Sequence, residues 1–185
     1  ETGLRDADPT DHLNLNSRAA LARSLVRETP VPESIKSAIA AEYGKLCEMY
    51  SPGVDVAVRS SATTEDSADA SFAGQYESYL NVSGEQDIIE KWRRCVASMF
   101  TERAIGYHLE HNMHPLDSAI AVVVMKMARS DKGSSGVMFT IDPDSGHEGV
   151  IHIGSSYGLG ELVVQGVVSP DTFTVWKEGL RQGKF

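Results

Sequence analysis

The stretch VAVRSSATTEDSADASFAGQYESYLNV, residues 56–82, places a polar, acidic loop between two strand-like segments. In the first segment Val56 and Val58 alternate with Ala57 and Arg59, so that Arg59 falls on the face opposite the valines. A guanidinium at a strand end can bind phosphate oxygens in pairs, and it is charged at any physiological pH. The pattern fits a hairpin that binds an anion and, equally well, a surface hairpin with a salt-bridged arginine.

The far side of the loop carries small and polar residues that suit a phosphate-binding turn. Gly74 has no Cβ, so the backbone can approach a ligand closely there. Ser71, Gln75 and Ser78 add hydrogen-bond donors around it. Residues 64–69 are too polar for a core, and they predict a mobile tip that closes over a nucleotide.

Composition narrows the classes of partner. The chain has 185 residues, 41% of them hydrophobic and 23% charged, as expected of one globular domain with a sizeable core. A net charge of −9 argues against nucleic acid and anionic membrane surfaces as partners. No apolar run reaches the roughly 18 residues that a membrane-spanning helix needs.

Cys47 and Cys95 lie at apolar positions of helical patterns, which predicts buried thiols and a reducing, cytoplasmic setting.

The first residues are polar and do not have the apolar segment of a signal peptide. The sequence also begins without a methionine, which predicts a chain that is processed, tagged or excised from a longer one.

Helical periodicity dominates the first part of the chain and strand patterns the second. Apolar spacing predicts helices over 16–28 and 33–50, and a long helix from a capping-box sequence at Ser83 to about residue 109. Short strands separated by glycine-bearing turns are predicted at 119–128, 136–141, 150–153 and 172–177. Such strands imply an antiparallel meander, and the predicted fold class is α+β. The chain is interpreted as one domain over 1–185, mainly helical over 1–115 and rich in antiparallel strands over 116–185.

A glycine pattern after one predicted strand resembles a dinucleotide-binding turn. Gly154, Gly158 and Gly160 have nearly the required spacing. A Rossmann unit also needs a full helix and a further parallel strand, and Gly166 and Pro170 interrupt the sequence too early for them. The pattern therefore does not predict a Rossmann site, although Glu161 remains as an acidic group next to the turn.

Three histidines, His108, His111 and His114, lie at the end of the predicted long helix. Apart from Glu110, no carboxylate or cysteine recurs at a helical offset from them. They are interpreted as solvated histidines favoured by the helix dipole rather than as metal ligands.

Three motifs in order allow a more specific interpretation. They are VRSSATTEDSADASFAGQYESYLNV, MKMARSDKGSSGVMFTIDPDSG and SSYGLGELVVQGVVSPDTF. Together, over about residues 15–180, they resemble the nucleotide-binding domain of the pyruvate phosphate dikinase family. SSGVMFTID and SSYGLGE most resemble the phosphoenolpyruvate synthases of that family. Rifampin phosphotransferases share most of the motifs and remain an alternative, as does a stand-alone nucleotide-binding module.

The resemblance implies an ATP-grasp-like fold, with ATP between two α+β lobes, and it implies roles for particular residues. Arg59 matches the family's phosphate-binding arginine, Gly74 its loop glycine and Ser78 a hydroxyl position near the phosphates. Further positions matching the site are Ser71, Ala73, Gln75, Met125, Lys126, Met127 and Glu161. Of these, 125–127 match the adenine hinge, with methionine at 125 where the family commonly has glutamine, and Glu161 is expected near the ribose or base.

The resemblance also implies what the parent enzyme does. The expected reaction converts ATP, pyruvate and water to phosphoenolpyruvate, AMP and phosphate through a phosphohistidine on another domain, with Mg²⁺ bound to ATP. The family's N-terminal lysine segment, its metal ligands and its phosphohistidine motif have no counterpart in these 185 residues. Because phosphoryl transfer depends on charge neutralisation by metal, the chain alone is expected to be inactive.

Overall fold

A computed structural model describes residues 4, 8, 10–62, 77–111 and 113–184 of the chain. The chain forms two compact units, Glu1–Met127 and Ala128–Phe185. Both units combine helices with antiparallel strands, which confirms the predicted α+β class. No helix in the described ranges has the length and apolar character that crossing a bilayer requires.

Helices of the first unit are α1 (His12–Glu28), α2 (Glu33–Met49), α3 (Glu85–Ser98) and α4 (Glu102–Glu110). The carboxylate of Asp11 caps α1 by accepting hydrogen bonds from the backbone N–H groups of Leu13 and Asn14, at 3.0 and 3.1 Å. Such a cap satisfies amides that have no partner within the helix. Helix α2 follows Pro32, which confirms the start predicted from the sequence.

The single long helix predicted to run to residue 109 is wrong, because α3 ends at Ser98 and α4 begins at Glu102. The Ser98 hydroxyl donates to the carbonyl of Cys95 at 2.7 Å, a local bond that competes with regular helix. Three residues later the Thr101 hydroxyl accepts from the N–H of Ala104 at 3.2 Å and caps α4. The apolar spacing continues through this break, and periodicity alone therefore does not reveal it.

The predicted capping box at the start of α3 does not form. Gly84, at φ 90°, is the N-cap residue, and no side chain caps the helix. The Ser83 hydroxyl donates instead to the carbonyl of Gly53 at 2.8 Å. The N–H of Gly84 donates to the phenol oxygen of Tyr43 at 2.9 Å. These bonds attach the start of α3 to the turn after α2 and to α2 itself.

The first unit contains an antiparallel sheet of β1 (Val56–Ala62), β2 (Ser78–Val82) and β3 (Ile120–Lys126), in the order β2-β1-β3. Val56 and Val58 are fully buried and pack with residues of α2 and α3. The predicted part 116–185 thus includes β3, which pairs with β1 in the first unit. Burial of one face of this sheet leaves the other face for a ligand or partner.

The second unit is built around β4 (Ser134–Phe139), β5 (Val150–Tyr157) and β6 (Asp171–Trp176). Neighbouring strands pair in the order β4-β5-β6 and form an antiparallel meander. The predicted meander also included 119–128, and this part is wrong because β3 pairs with β1 in the other sheet. Two short helices, α5 (Glu161–Val164) and α6 (Lys177–Arg181), follow β5 and β6. Gly154 lies inside β5, so the strand continues through the place where a dinucleotide-binding turn would begin.

Candidate functional site

The open face of the first sheet brings together three of the predicted site residues. Arg59 in β1 lies opposite Ser78 in β2 and opposite Val123 in β3. Met125 lies two residues farther along β3, and residues two apart on a strand share a face. Arg59 and Ser78 are exposed, and Val123 and Met125 are 45% and 48% exposed. The face therefore joins a cation and a hydroxyl to an apolar surface.

Arg59 forms no ion pair with any residue in the described parts of the chain. The surface salt bridge that the sequence left as an alternative is thus not found among these residues. An exposed guanidinium with no carboxylate partner among the described residues can direct its five donors to an anion.

Lys126 and Met127 differ from Met125 in what they contact. Lys126 lies opposite Val56, whose side chain belongs to the buried face of the sheet. Its ammonium lies 4.9 Å from the centre of the Tyr50 ring and donates to the carbonyl of Met127 at 3.3 Å. The N–H of Met127 donates to the carbonyl of Asp55 at 2.9 Å. Met125 thus shares the face of Arg59, Lys126 lies on the opposite face, and Met127 lies just beyond the end of β3.

Glu161 lies in the second unit, as the first residue of α5. Its carboxylate is exposed and accepts a hydrogen bond from the side-chain amide of Gln165 at 2.8 Å. The hydroxyl of Ser135 in β4 donates to the carbonyl of Gly158, which attaches the turn before Glu161 to the sheet. This turn contains Gly158 at φ 86°, a conformation that favours glycine.

Four predicted site residues, Ser71, Ala73, Gly74 and Gln75, lie outside the described residues, as does the predicted mobile tip at 64–69. The described ranges contain no group of three or more histidine, cysteine, aspartate or glutamate side chains arranged to hold a metal ion. These residues therefore do not supply a donor set for Mg²⁺.

Sequence reasoning missed Glu77, the residue before β2, and the side chains of α3 that contact it. The hydroxyl of Ser98 accepts from the N–H of Glu77 at 3.4 Å, and the thiol of Cys95 lies 3.6 Å from the Glu77 carbonyl oxygen. Burial, with a contribution from the charge of Glu77, raises the pKa of Cys95 to about 11. A signal was present, because Ser98 is a polar residue three positions after Cys95 on the apolar side of a helix.

The observed burial of the two cysteines agrees only in part with the prediction that both thiols are buried. Cys95 is fully buried, whereas Cys47 is half-buried at the edge of the same apolar cluster. Both are free thiols.

His108 is not the solvated helix-end residue that the sequence predicts. It is fully buried, with Nδ1 2.7 Å from the carbonyl oxygen of Ala104 and Nε2 2.8 Å from the hydroxyl of Ser118. The chain after α4 folds back, and this brings Ser118 onto the ring. His111 and His114 are exposed, as predicted. Burial lowers the pKa of His108, and the nearby His111 and His114 add to the shift.

Acid should destabilise the first unit through His108. Its pKa is lower in the folded chain than in the unfolded chain, so the unfolded chain takes up the proton first as pH falls. The stabilisation is fully present above about pH 6.5 and decreases below it, by up to about 1.4 kcal/mol per pH unit. We expect urea midpoints of the wild type to fall between pH 7 and pH 5, and less so for His108→Gln. His147→Gln, in an exposed turn, is the control and should keep the wild-type slope; equal slopes for all three proteins would contradict the prediction.

Comparison with known proteins identifies the family of the chain. The family described as "Pyruvate phosphate dikinase, AMP/ATP-binding domain" matches residues 1–183. The chain belongs to this family. Membership of the pyruvate phosphate dikinase AMP/ATP-binding domains confirms the resemblance found in the three sequence motifs.

Proteins called phosphoenolpyruvate synthase are similar to almost the whole chain. That of Synechocystis sp. is 48% identical over 183 residues, which are 96% of this chain and 22% of the relative. That of Aquifex aeolicus is 48% identical over 181 residues, 97% of this chain and 21% of the relative. A probable phosphoenolpyruvate synthase of Methanocaldococcus jannaschii is 42% identical over 189 residues, 97% of this chain and 16% of the relative. The chain thus spans about a fifth of the length of these curated relatives of the AMP/ATP-binding domain.

Proposed function

We propose that the chain forms the ATP-binding part of a phosphoenolpyruvate synthase and has an ATP-grasp arrangement. The observation that carries the proposal is the pairing of Arg59 with Ser78 on the face of the first sheet that also holds Met125. A nucleotide needs a cation for its phosphates and an apolar surface for its base, and this face offers both. Membership of the AMP/ATP-binding family supports the choice of nucleotide.

In the proposed complex Arg59 binds phosphate oxygens and the hydroxyl of Ser78 donates to a neighbouring oxygen. Val123, opposite Arg59, and Met125 are about 7 Å apart along β3, at about 3.4 Å per residue. Met125 therefore lies far enough from Arg59 to contact the base while Arg59 contacts the phosphates. The backbone of Lys126 and Met127 is proposed to lie near the base. Ser71, Ala73, Gly74 and Gln75 are proposed to bind the phosphates, and Glu161 is proposed to bind near the ribose or base.

The proposed overall reaction consumes ATP, pyruvate and water and gives phosphoenolpyruvate, AMP and phosphate. A histidine on a separate domain carries the phosphoryl group between ATP and pyruvate. Mg²⁺ bound to ATP would neutralise phosphate charge, with ligands outside the described residues. The residues of this chain bind and orient the nucleotide, and the free thiols of Cys47 and Cys95 suit the proposed cytoplasmic location.

Calorimetric titration of the 185-residue chain with ATP tests the binding step. We expect saturable heat with ATP, and weaker binding of both adenosine and pyrophosphate, because each retains only half of the proposed contacts. AMP formation is not expected from the 185 residues alone. Absence of ATP heat at millimolar concentration would remove the proposal that this chain holds the nucleotide.

An assay of a longer protein that contains this chain tests the reaction. AMP formation that depends on pyruvate is the expected result. AMP formation that depends on rifampin instead would assign the chain to the rifampin phosphotransferases. Tight ATP binding by the 185 residues alone, with no AMP formation by the longer protein under either condition, would indicate a stand-alone nucleotide-binding module.

A further inference from the structure

Glu77 is held at the start of β2 by side chains from three elements. Its N–H donates to the Ser98 hydroxyl at 3.4 Å. Its carbonyl oxygen lies 3.6 Å from the thiol of Cys95 and 3.4 Å from the hydroxyl of Ser60, both of them donors. Its carboxylate accepts a hydrogen bond from the phenol of Tyr79. The N–H, the carbonyl and the side chain of this one residue are therefore all engaged.

The position of Glu77 matters because of the residue that follows it. Ser78 is the next residue and lies opposite Arg59 in the ladder. The thiol of Cys95 also lies 3.8 Å from the carbonyl oxygen of Val58, the residue before Arg59. Helix α3 thus contacts both backbones immediately next to the Arg59–Ser78 pair.

Ser98 is the residue of this group that buries a hydroxyl. It is 2% exposed, and a buried hydroxyl without partners costs free energy. Here the hydroxyl accepts from Glu77 and donates to the carbonyl of Cys95 at 2.7 Å, so both of its roles are filled. The donation to Cys95 orients the hydroxyl so that its lone pair is free for the Glu77 amide.

We propose that Ser98 is a positioning residue of the nucleotide site. It fixes the backbone of Glu77 and thereby sets Ser78 opposite Arg59, without contacting the nucleotide itself. The inference rests on the proposed function, because Arg59 and Ser78 are the proposed phosphate contacts. A displacement of such groups by a fraction of an ångström weakens charge-assisted hydrogen bonds, which depend strongly on distance and angle.

Amide hydrogen exchange of the ligand-free chain tests the positioning directly. In Ser98→Ala we expect the amides of Ser78 and Tyr79 to exchange about tenfold faster. The local opening that exposes these amides to water no longer has to break the hydrogen bond between Glu77 and Ser98. The amides of Val122 and Val124, on the other side of β1, should be unchanged. Ser83→Ala is the matched control, since it removes a serine hydroxyl bond to Gly53 at the other end of β2. Exchange at Ser78 within twofold of wild type in Ser98→Ala overturns the inference, whatever the chain does with ATP.

A double-mutant cycle on ATP affinity tests the link to Arg59. We expect Ser98→Ala to weaken binding about fivefold and Arg59→Ala about 100-fold, with the double variant within about twofold of Arg59→Ala. If adding Ser98→Ala to Arg59→Ala weakens binding no further, Ser98 acts through Arg59. Independent effects, which would multiply to about 500-fold, overturn the inference because Ser98 would then act elsewhere.

Tyr79→Phe gives a second variant in case Ser98→Ala is poorly folded. It removes the phenol bond to the Glu77 carboxylate at a half-buried position. We expect faster exchange at Ser78 and a loss of ATP affinity of about twofold to fivefold, because the hydrogen bond that is removed is exposed to solvent. Wild-type exchange at Ser78 in this variant overturns the inference. Wild-type ATP affinity in both Arg59→Ala and Ser98→Ala, with altered exchange in the latter, overturns the proposed function instead and leaves the local attachment of Glu77 in place.

Discussion

Replacing Arg59 with alanine should weaken ATP binding about 100-fold, near 2.7 kcal/mol. The guanidinium is exposed on the open face of the first sheet and forms no ion pair with the described residues. Alanine removes a charge and up to two parallel hydrogen bonds to phosphate oxygens. Calorimetric titration of wild type and variant with ATP measures the difference.

The same substitution should leave the fold intact. Arg59 is exposed, while the adjacent Val58 on the other face carries the packing. Substitutions at exposed positions away from buried contacts change stability by about 0.5 kcal/mol or less. We therefore expect the urea midpoint to be unchanged within error, and adenosine, which has no phosphate, to bind both proteins equally.

Two further variants separate geometry from charge. Arg59→Lys keeps the charge but loses the planar fork, so it should bind ATP with an affinity between wild type and Arg59→Ala. Arg27→Ala, near the end of α1, removes the same charge from another exposed site of the first unit and should bind ATP like wild type. Equal ATP affinity of wild type and Arg59→Ala would show that Arg59 is not a phosphate ligand. Equal losses of ATP affinity in Arg59→Ala and Arg27→Ala would show that the effect comes from the net charge of the protein and not from a contact of Arg59 with phosphate.

Local alternation was enough to predict the face of β1 that carries Arg59, because a strand places every second side chain on the same side. It could not predict that Met125 lies on the face of Arg59 while Lys126 packs on Tyr50. That outcome depends on the register between β1 and β3, which are separated by more than 50 residues in the chain. Register is set by tertiary pairing and not by local pattern.

Polar groups on apolar faces were the weak point of the sequence interpretation. His108 was predicted to be solvated, and no role was predicted for Ser98, although both residues are buried. Each is buried because a distant backbone or hydroxyl group satisfies it, Ser118 for His108 and Glu77 for Ser98. Such partners come from chain segments 10 and 21 residues away, and their approach follows from packing that helical spacing does not encode.

Gly136→Ala should destabilise the second unit by about 3 kcal/mol, at the upper end of the cost of overpacking. Gly136 lies in β4 opposite Ser155 in β5. A Cβ atom there would overlap the carbonyl oxygen of Gly154 and lie 2.8 Å from the Cα of Ser155. Both neighbours are backbone atoms of the central strand, so the clash is relieved only by moving β4 away from β5.

The displacement would extend to the turn before Glu161. Ser135, next to Gly136, donates a hydrogen bond to the carbonyl of Gly158, and a Cβ on Gly160 would already lie 3.4 Å from the Ser135 hydroxyl oxygen. A shift of β4 therefore moves the segment that presents Glu161. Because Glu161 is proposed to bind near the ribose or base, ATP affinity should fall as well as stability.

Trp176 in β6 reports on unfolding of this unit, and Trp92→Phe removes the other tryptophan of the chain, which lies in α3. In that background we expect Gly136→Ala to lower the urea midpoint of the Trp176 fluorescence transition strongly. Gly133→Ala is the matched control, since a Cβ there meets no heavy atom within 4 Å and its φ of −161° suits any residue. A wild-type midpoint for Gly136→Ala would show that β4 and β5 can separate locally at little cost, and the close approach of the strands would then not explain the glycine. A lowered midpoint with unchanged ATP affinity would instead show that destabilising the sheet does not affect ATP binding through Glu161.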